Sequence, residues 1–197
     1  MIYTEEKNKI KNMLRYIIPI FVLLLVGCSS NEVTYQKLVQ EGLESGERVD
    51  SLFLGYYLGM HRNDFHIKSW EMNRDEKMTG ITNIEYKFDG LKSRATMTFY
   101  PTFVDDKIVA IPVSYGYDAW APWNEEYWPE NLLQDLIDYY EEEYDTRFTY
   151  VLLPFSNEYA YVSVEGNREI RMYKNSENTV MVEFIDLSVL NPLEIDS

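Results

Sequence analysis

The sequence predicts an α+β fold in which two halves each place one helix before a run of antiparallel strands. Two observations carry this prediction. Apolar residues recur at helical spacing in two stretches, and each stretch precedes segments in which apolar and polar residues alternate. Tight turns join the alternating segments, and such turns connect antiparallel strands. We expect three strands in the first half, four in the second, and both helices packed on one face of the sheet.

The chain divides into three parts. We expect a signal peptide over 1–27, a lipidated tether over 28–50 and a single α+β domain over 51–197. Within that domain the halves cover 51–117 and 118–190. They suggest a degenerate internal repeat, although no residue-level self-similarity accompanies it.

The N-terminal part has the pattern of a secretion leader. A cationic segment precedes an apolar core over 16–26, which is shorter than the ~20 residues that a membrane-spanning helix needs. The core ends in Leu25-Val26-Gly27-Cys28, which resembles the lipobox of bacterial lipoproteins. That resemblance implies that Cys28 is acylated, begins the mature chain and anchors it to a membrane. The alternative is a buried apolar helix that ends in Gly-Cys.

The first half begins after a polar stretch. That stretch contains one weakly amphipathic segment around Tyr35 and Val39, which predicts a short helix. An apolar run over 52–58 opens the domain. A helix is then predicted from Arg62 to about Glu76.

Three predicted strands follow this helix. Ile81–Phe88 alternates in polarity and ends at the turn Asp89-Gly90. Arg94–Val104 is the second strand, and its Pro101 predicts a bulge or an edge position. Ile108–Tyr115 is the third.

The second half opens with the strongest helix pattern of the chain. Pro129 suits the first helical position, and one face of the following residues is apolar. The residues on that face are Leu132, Leu133, Leu136, Ile137, Tyr140 and Tyr144. Four strands are then predicted, over Phe148–Leu153, Tyr159–Val164, Glu169–Tyr173 and Val180–Ile185.

Three further resemblances concern the mature chain. The stretch Leu58-Gly59-Met60-His61-Arg62-Asn63-Asp64-Phe65 resembles the helix start of BamE-like (SmpA/OmlA) lipoprotein domains, although His61 stands where those have a capping Ser or Thr. Tandem domains of this sort resemble the β-lactamase-inhibitor-protein fold. The whole mature chain, including Gly166-Asn167-Arg168, is similar to uncharacterised lipoproteins of Bacteroidetes. These resemblances imply an address in the cell envelope and no activity.

Composition restricts the partners. Cys28 is the only cysteine, so the mature domain has no disulfide and must be held by packing. The net charge is −15, and removal of a leader with four Lys/Arg and two Asp/Glu leaves −17. Such a surface repels nucleic acid. It favours either plain solubility or a cationic partner.

An aromatic segment before the second helix is the main candidate site. It contains Tyr117, Trp120, Trp123 and Trp128, and indole and phenol rings combine apolar faces with a polar edge, as contact surfaces require. Pro122 would stiffen the segment. We predict that these four residues bind a partner. The alternative is that they fill the junction between the halves.

The sequence offers few candidates for catalytic or ligand-binding residues. His61 and His66 are five residues apart, so they do not share a helix face as a zinc pair at i, i+4 would. The carboxylates over 141–145 oppose the helix dipole and would attract a cation, but a solvated helix end is the favoured explanation. No phosphate-binding glycine pattern occurs. We expect no cofactor and no metal.

The sequence therefore predicts a non-catalytic lipoprotein, anchored most naturally to the outer membrane, that binds a protein partner or supports envelope assembly. One alternative is a glycan-contacting accessory lipoprotein whose tryptophans stack on sugar rings. Another is a hydrolase that uses a pair of carboxylates.

Overall fold

One antiparallel sheet of nine strands organises the computed structural model, which describes residues 34–193. These residues fall within one compact unit. The leader over 1–27 and the predicted lipidation site Cys28 lie outside the described residues. Three helices accompany the sheet, so the α+β class predicted from the sequence is confirmed.

The helices are α1 (Tyr35–Glu44), α2 (Arg62–Arg74) and α3 (Pro129–Tyr144). The strands of the first half of the chain are β1 (Met78–Thr79), β2 (Ile84–Phe88), β3 (Ala95–Phe99), β4 (Thr102–Val104) and β5 (Lys107–Tyr117). Those of the second half are β6 (Thr149–Leu153), β7 (Glu158–Glu165), β8 (Arg168–Lys174) and β9 (Val180–Asp186).

The strand order is β1-β2-β3-β5-β9-β8-β7-β6, and β4 pairs with β5 outside this path. The central pair is β5 and β9, in register at Val113 and Val182. The predicted strand Arg94–Val104 is divided into β3 and β4 around Pro101, where a missing amide hydrogen interrupts the ladder. The nine strands therefore form one continuous layer.

Helices lie on both faces of the sheet, because α2 and α3 border the same large core while α1 lies on the opposite face. Successive residues of β8 show this, because neighbouring side chains of a strand point to opposite faces. Arg168 lies over the ring of Tyr144 at the end of α3, while Glu169 accepts a hydrogen bond from Tyr35 of α1. A large apolar core lies between the sheet, α2 and α3, and a smaller one lies under α1.

The N-terminal helix α1 belongs to the folded body, which corrects the expectation of a tether over 28–50. A short helix was predicted there, but Tyr35 and Val39 are fully buried against β6 and β7. The chain that follows is also held, because the Val49 amide donates to the Asn167 side chain at 2.7 Å. The sequence of α1 has too few apolar residues to predict that this helix covers β6 and β7.

The other two helices begin and end close to their predicted positions. The ring of His61 caps α2 by accepting a hydrogen bond from the Asn63 amide at 3.2 Å, so histidine replaces the expected Ser or Thr. Pro129 is the first residue of α3, as predicted, and Asp145 ends this helix in a left-handed conformation. Helix α3 thereby carries the aromatic segment at its N-terminal end.

Candidate functional site

The aromatic segment connects β5 to α3 and is folded into consecutive turns. The Trp120 amide donates to the Tyr117 carbonyl at 3.1 Å, and the Asn124 amide donates to the Ala121 carbonyl at 2.9 Å. The side chain of Asn131, in the first turn of α3, donates to the Glu125 carbonyl at 2.8 Å. These bonds fix the backbone around the exposed rings, so the segment has little conformational freedom to lose on binding.

Tyr117 is buried, which corrects its assignment as a partner-binding residue. Its hydroxyl donates to the carboxylate of Asp135 on α3, and its ring packs edge-on against Tyr127 with centroids 5.3 Å apart. The Lys92 ammonium lies 3.1 Å from the same carboxylate. Burial and the neighbouring Asp135 raise the pKa of the Tyr117 phenol. Tyr117 therefore fastens the segment to α3 and cannot touch a partner.

The three tryptophans of the segment lie in different environments. Trp123 is 86% exposed, and Trp128 is 37% exposed. Trp120 packs against the main core, and its indole nitrogen is buried without a hydrogen-bond partner among the described residues. One indole therefore packs against the core while another protrudes into solvent. We call Trp120, Trp123 and Trp128 the tryptophan surface.

A cleft of about 520 Å³ lies beside this surface. One wall is apolar and consists of Trp120, Trp128 and two prolines. The polar wall comes from the start of α3 and from the turn between β8 and β9, which places hydrogen-bonding groups in the same cleft as the indoles. The polar lining residues are Glu130, Lys174, Asn175, Ser176 and Glu177.

Among the described residues that line the cleft, one ion pair neutralises a carboxylate. The Lys174 ammonium lies 2.6 Å from the Glu130 carboxylate, and that bond lowers the pKa of Glu130. Glu177 lies on the same wall, and Glu125 and Glu126 are exposed on the segment itself. The surroundings of the tryptophan surface are therefore acidic, as the charge of the whole chain predicts.

At the acidic end of α3, the first carboxylate, Glu141, is bound by groups of the same chain. Glu141 accepts a hydrogen bond from the Phe148 amide at 3.0 Å and pairs with the Arg147 guanidinium. These contacts lower the pKa of Glu141. The Glu141 carboxylate thus holds the chain that follows the helix. The run of acidic residues in the sequence does not predict this role.

The described part of the chain shows no group of three or more His, Cys, Asp or Glu side chains arranged to hold a metal ion. His61 caps α2, and His66 lies in a separate depression beside Trp70. No helix within residues 34–193 has both the length and the apolar character needed to cross a membrane.

Comparisons with known proteins leave the site to be interpreted on its own geometry. No protein-family model, no curated protein sequence and no solved structure matches this chain.

Proposed function

We propose that the protein is a membrane-anchored, non-catalytic lipoprotein that binds a protein partner through the tryptophan surface. The observation that carries the proposal is the 86% exposure of Trp123 on a backbone fixed by hydrogen bonds. An indole exposed on a rigid loop loses apolar hydration when a partner covers it, at little entropic cost. Tryptophan is also among the residues that dominate binding energy in protein interfaces.

The surroundings of Trp123 favour a protein partner over a flat ligand. The three indoles do not form an exposed row, since Trp120 is half-buried and Trp128 is only partly exposed. Instead, one protruding ring stands beside an apolar wall with a charged rim. That arrangement of an apolar centre and a polar rim is typical of protein interfaces.

Anchoring is proposed from the lipobox at Cys28, and the outer membrane is the proposed site. Helix α1 starts at Tyr35, so only a few residues separate its first turn from the acylated cysteine. An extended chain spans at most ~3.3–3.6 Å per residue. The body would therefore lie within about 25 Å of the membrane surface, which favours a partner in the same membrane or at its surface.

A glycan is the second candidate ligand, and the cleft is the observation that favours it. Its volume of about 520 Å³ is that of a small-ligand site, and it faces Trp120 and Trp128 with amide, hydroxyl and carboxylate groups. Sugars present apolar ring faces and polar edges, which such a pair of walls would match.

The division into two helix-plus-strand halves, 51–117 and 118–190, is also a proposal. The strand order supports it, because β1 to β5 occupy one side of the sheet and β6 to β9 the other. In each half one helix on the same face precedes the strands, α2 in the first and α3 in the second.

A photo-crosslinking amino acid at position 123, introduced in the native host, tests the proposal. We expect an adduct with one membrane or envelope protein, identified by mass spectrometry. Position 70 is the matched control, because Trp70 is 63% exposed on α2, away from the segment. The purified partner should bind Trp123→Ala about tenfold more weakly than the unchanged protein, and Trp70→Ala with unchanged affinity.

Equal crosslinking at positions 70 and 123 would contradict the protein-partner proposal. If position 123 gives no adduct, screening with envelope polysaccharides decides the second candidate. Binding that Trp128→Ala removes and Trp123→Ala leaves intact would place a glycan in the cleft.

A further inference from the structure

The outer edge of β6 is an open strand edge on the opposite side of the sheet from β1. β6 is the last strand of the order, and its residues 150–152 make no backbone hydrogen bond beyond the ladder with β7 among the described residues. Exposed edges offer unpaired amide and carbonyl groups to other chains. The other edge strand, β1, has only two residues and offers almost no ladder.

Within its described residues β6 carries no charge, proline or bulge that would oppose pairing. Its sequence, Thr149-Tyr150-Val151-Leu152-Leu153, contains no charge, no proline and no glycine, and its register with β7 is regular. Natural edge strands are usually blunted by charges, prolines or bulges. An unprotected edge in a chain that is otherwise strongly acidic indicates that the edge is used.

An exposed apolar patch lies on the sheet face beside this edge. Tyr150 and Tyr159 are both more than half exposed and stack with centroids 5.0 Å apart. Tyr161 meets Tyr150 at 4.9 Å, and Leu152 is exposed beside them in the register. Helix α3 contacts β5, β8 and β9, which leaves these rings uncovered. Backbone groups at the edge and apolar side chains next to it are the two components that strand addition uses.

The charges around β6 favour a cationic partner for this edge. Exposed carboxylates stand at both ends of β6, where Glu143 and Asp145 precede it and Glu158 is the register partner of Leu153. None of these three forms an ion pair among the described residues, and the nearby Arg147 is bound to Glu141. A second copy of this chain would bring the same carboxylates and a net charge of −15. A cationic segment would be attracted instead.

We infer that β6 accepts an extended, positively charged segment of another protein as an added strand. Main-chain hydrogen bonds to the edge supply the pairing, and alternate apolar side chains of the segment cover Tyr150 and Leu152. Its lysines or arginines reach the carboxylates at the two ends of the strand. This surface is separate from the tryptophan surface, and its use does not depend on the proposed function.

A decapeptide of alternating lysine and valine tests this inference. The full chain is held in vesicles of neutral phosphatidylcholine, so that the lipid does not attract the peptide. We expect the peptide to slow amide hydrogen exchange in β6, and a peptide with glutamate in place of lysine to leave exchange unchanged. Tyr150→Lys and Leu152→Lys should each weaken binding about tenfold, and Trp70→Lys should not change it.

Three results would overturn the inference. One is peptide binding without protection of β6 amides, and another is equal binding of the glutamate peptide. The third is protection of β6 that rises with protein concentration in the absence of peptide, since a second copy would then occupy the edge. Thermal melts of both lysine variants should remain cooperative, with only a small downward shift for Tyr150→Lys, because the replaced side chains are exposed and only Tyr150 loses ring contacts.

Discussion

The hydroxyl of Tyr35 donates a hydrogen bond of 2.9 Å to the carboxylate of Glu169, and both side chains are fully buried. This contact joins the first turn of α1 to the beginning of β8, 134 residues further along the chain. The second carboxylate oxygen of Glu169 has no hydrogen-bond partner among the described residues, and the nearest cation, Arg171, is 3.7 Å away. Burial, only partly offset by Arg171 and Tyr35, raises the pKa of the Glu169 carboxyl.

Replacing this carboxylate should change how stability depends on pH. Because the pKa of Glu169 is higher in the folded than in the unfolded chain, its contribution to stability is full below the unfolded value of about 4.3 and is lost as pH rises through the folded value. Glu169→Gln keeps an acceptor for Tyr35 and removes the charge. We expect the variant to gain stability relative to the unchanged protein between pH 4 and pH 7, measured by urea unfolding at both values.

A relative stability that stays constant across that range would contradict this prediction. A relative loss for the glutamine variant at pH 7 would show that Glu169 is stabilised as an anion by Arg171. The surface pair Glu130–Lys174 provides the control, because Glu130→Gln removes a carboxylate whose pKa is lowered. Its effect on the pH dependence should have the opposite sign.

Removing α1 should destabilise the domain. A chain that starts at Asp50 loses the buried side chains of Tyr35 and Val39 and uncovers apolar residues of β6 and β7. Each fully buried side chain of this size contributes about 1.5–3 kcal/mol, so we expect a loss of at least about 3 kcal/mol in the free energy of unfolding. Urea melts of this chain and of one that starts at residue 34 measure the difference. Equal midpoints would mean that α1 is dispensable.

Periodicity predicted most of the fold, and its failures have physical causes. The spacing of apolar residues predicted the bounds of β5 to β9 and the start of α3 to within a few residues, because the two faces of these elements differ in burial. α1 was expected to lie in a tether, since only Tyr35 and Val39 are fully buried along it. A helix with so narrow an apolar stripe gives a weak pattern in the sequence. The sequence therefore does not predict that α1 covers the sheet face opposite α2 and α3.

The sequence predicted where the aromatic segment lies but not which of its rings are exposed. Of its tryptophans, Trp123 is exposed and Trp120 packs against the main core. The burial of Tyr117 could not be predicted, since it depends on Asp135, which lies a full turn inside α3. Much of the polar wall of the cleft comes from the turn after Lys174, and the packing of α3 on β8 brings this turn near Pro129.

The core face of α3 should be essential for stability. Leu136 is fully buried between α3 and the sheet, so Leu136→Ala leaves a cavity and should destabilise by about 2–5 kcal/mol. Leu133 is only half-buried on the same helix and serves as a control that should lose less. Chemical denaturation measures both. A loss below about 1 kcal/mol for Leu136→Ala would contradict the packing described for α3.

Acylation of Cys28 should determine membrane attachment. Each buried methylene of an acyl chain contributes ~0.8 kcal/mol, so several chains anchor firmly. We expect Cys28→Ala to abolish labelling by fatty acid and to release the protein from the membrane fraction or leave its leader uncleaved. Ser29→Ala is the neighbouring control and should behave as the unchanged protein. A labelled, membrane-bound Cys28→Ala protein would exclude the lipoprotein proposal.

The last prediction separates binding from packing within the tryptophan surface. Trp123 protrudes, so Trp123→Ala should change the free energy of unfolding by no more than about 0.5 kcal/mol. Trp120 packs against the main core, so Trp120→Ala should cost about 3–5 kcal/mol if its pocket does not collapse. Thermal and urea melts of the two variants provide the comparison.

Fluorescence gives an independent measure of the same difference. With Trp70 and Trp128 replaced by phenylalanine, iodide should quench the emission of Trp123 strongly and that of Trp120 more weakly, because Trp123 is far more exposed than the half-buried Trp120. Partner binding should then shield Trp123 from iodide and leave Trp120 unchanged. If both indoles are shielded in the isolated protein and Trp123→Ala unfolds it, the segment is core throughout and the tryptophan surface cannot be the binding site.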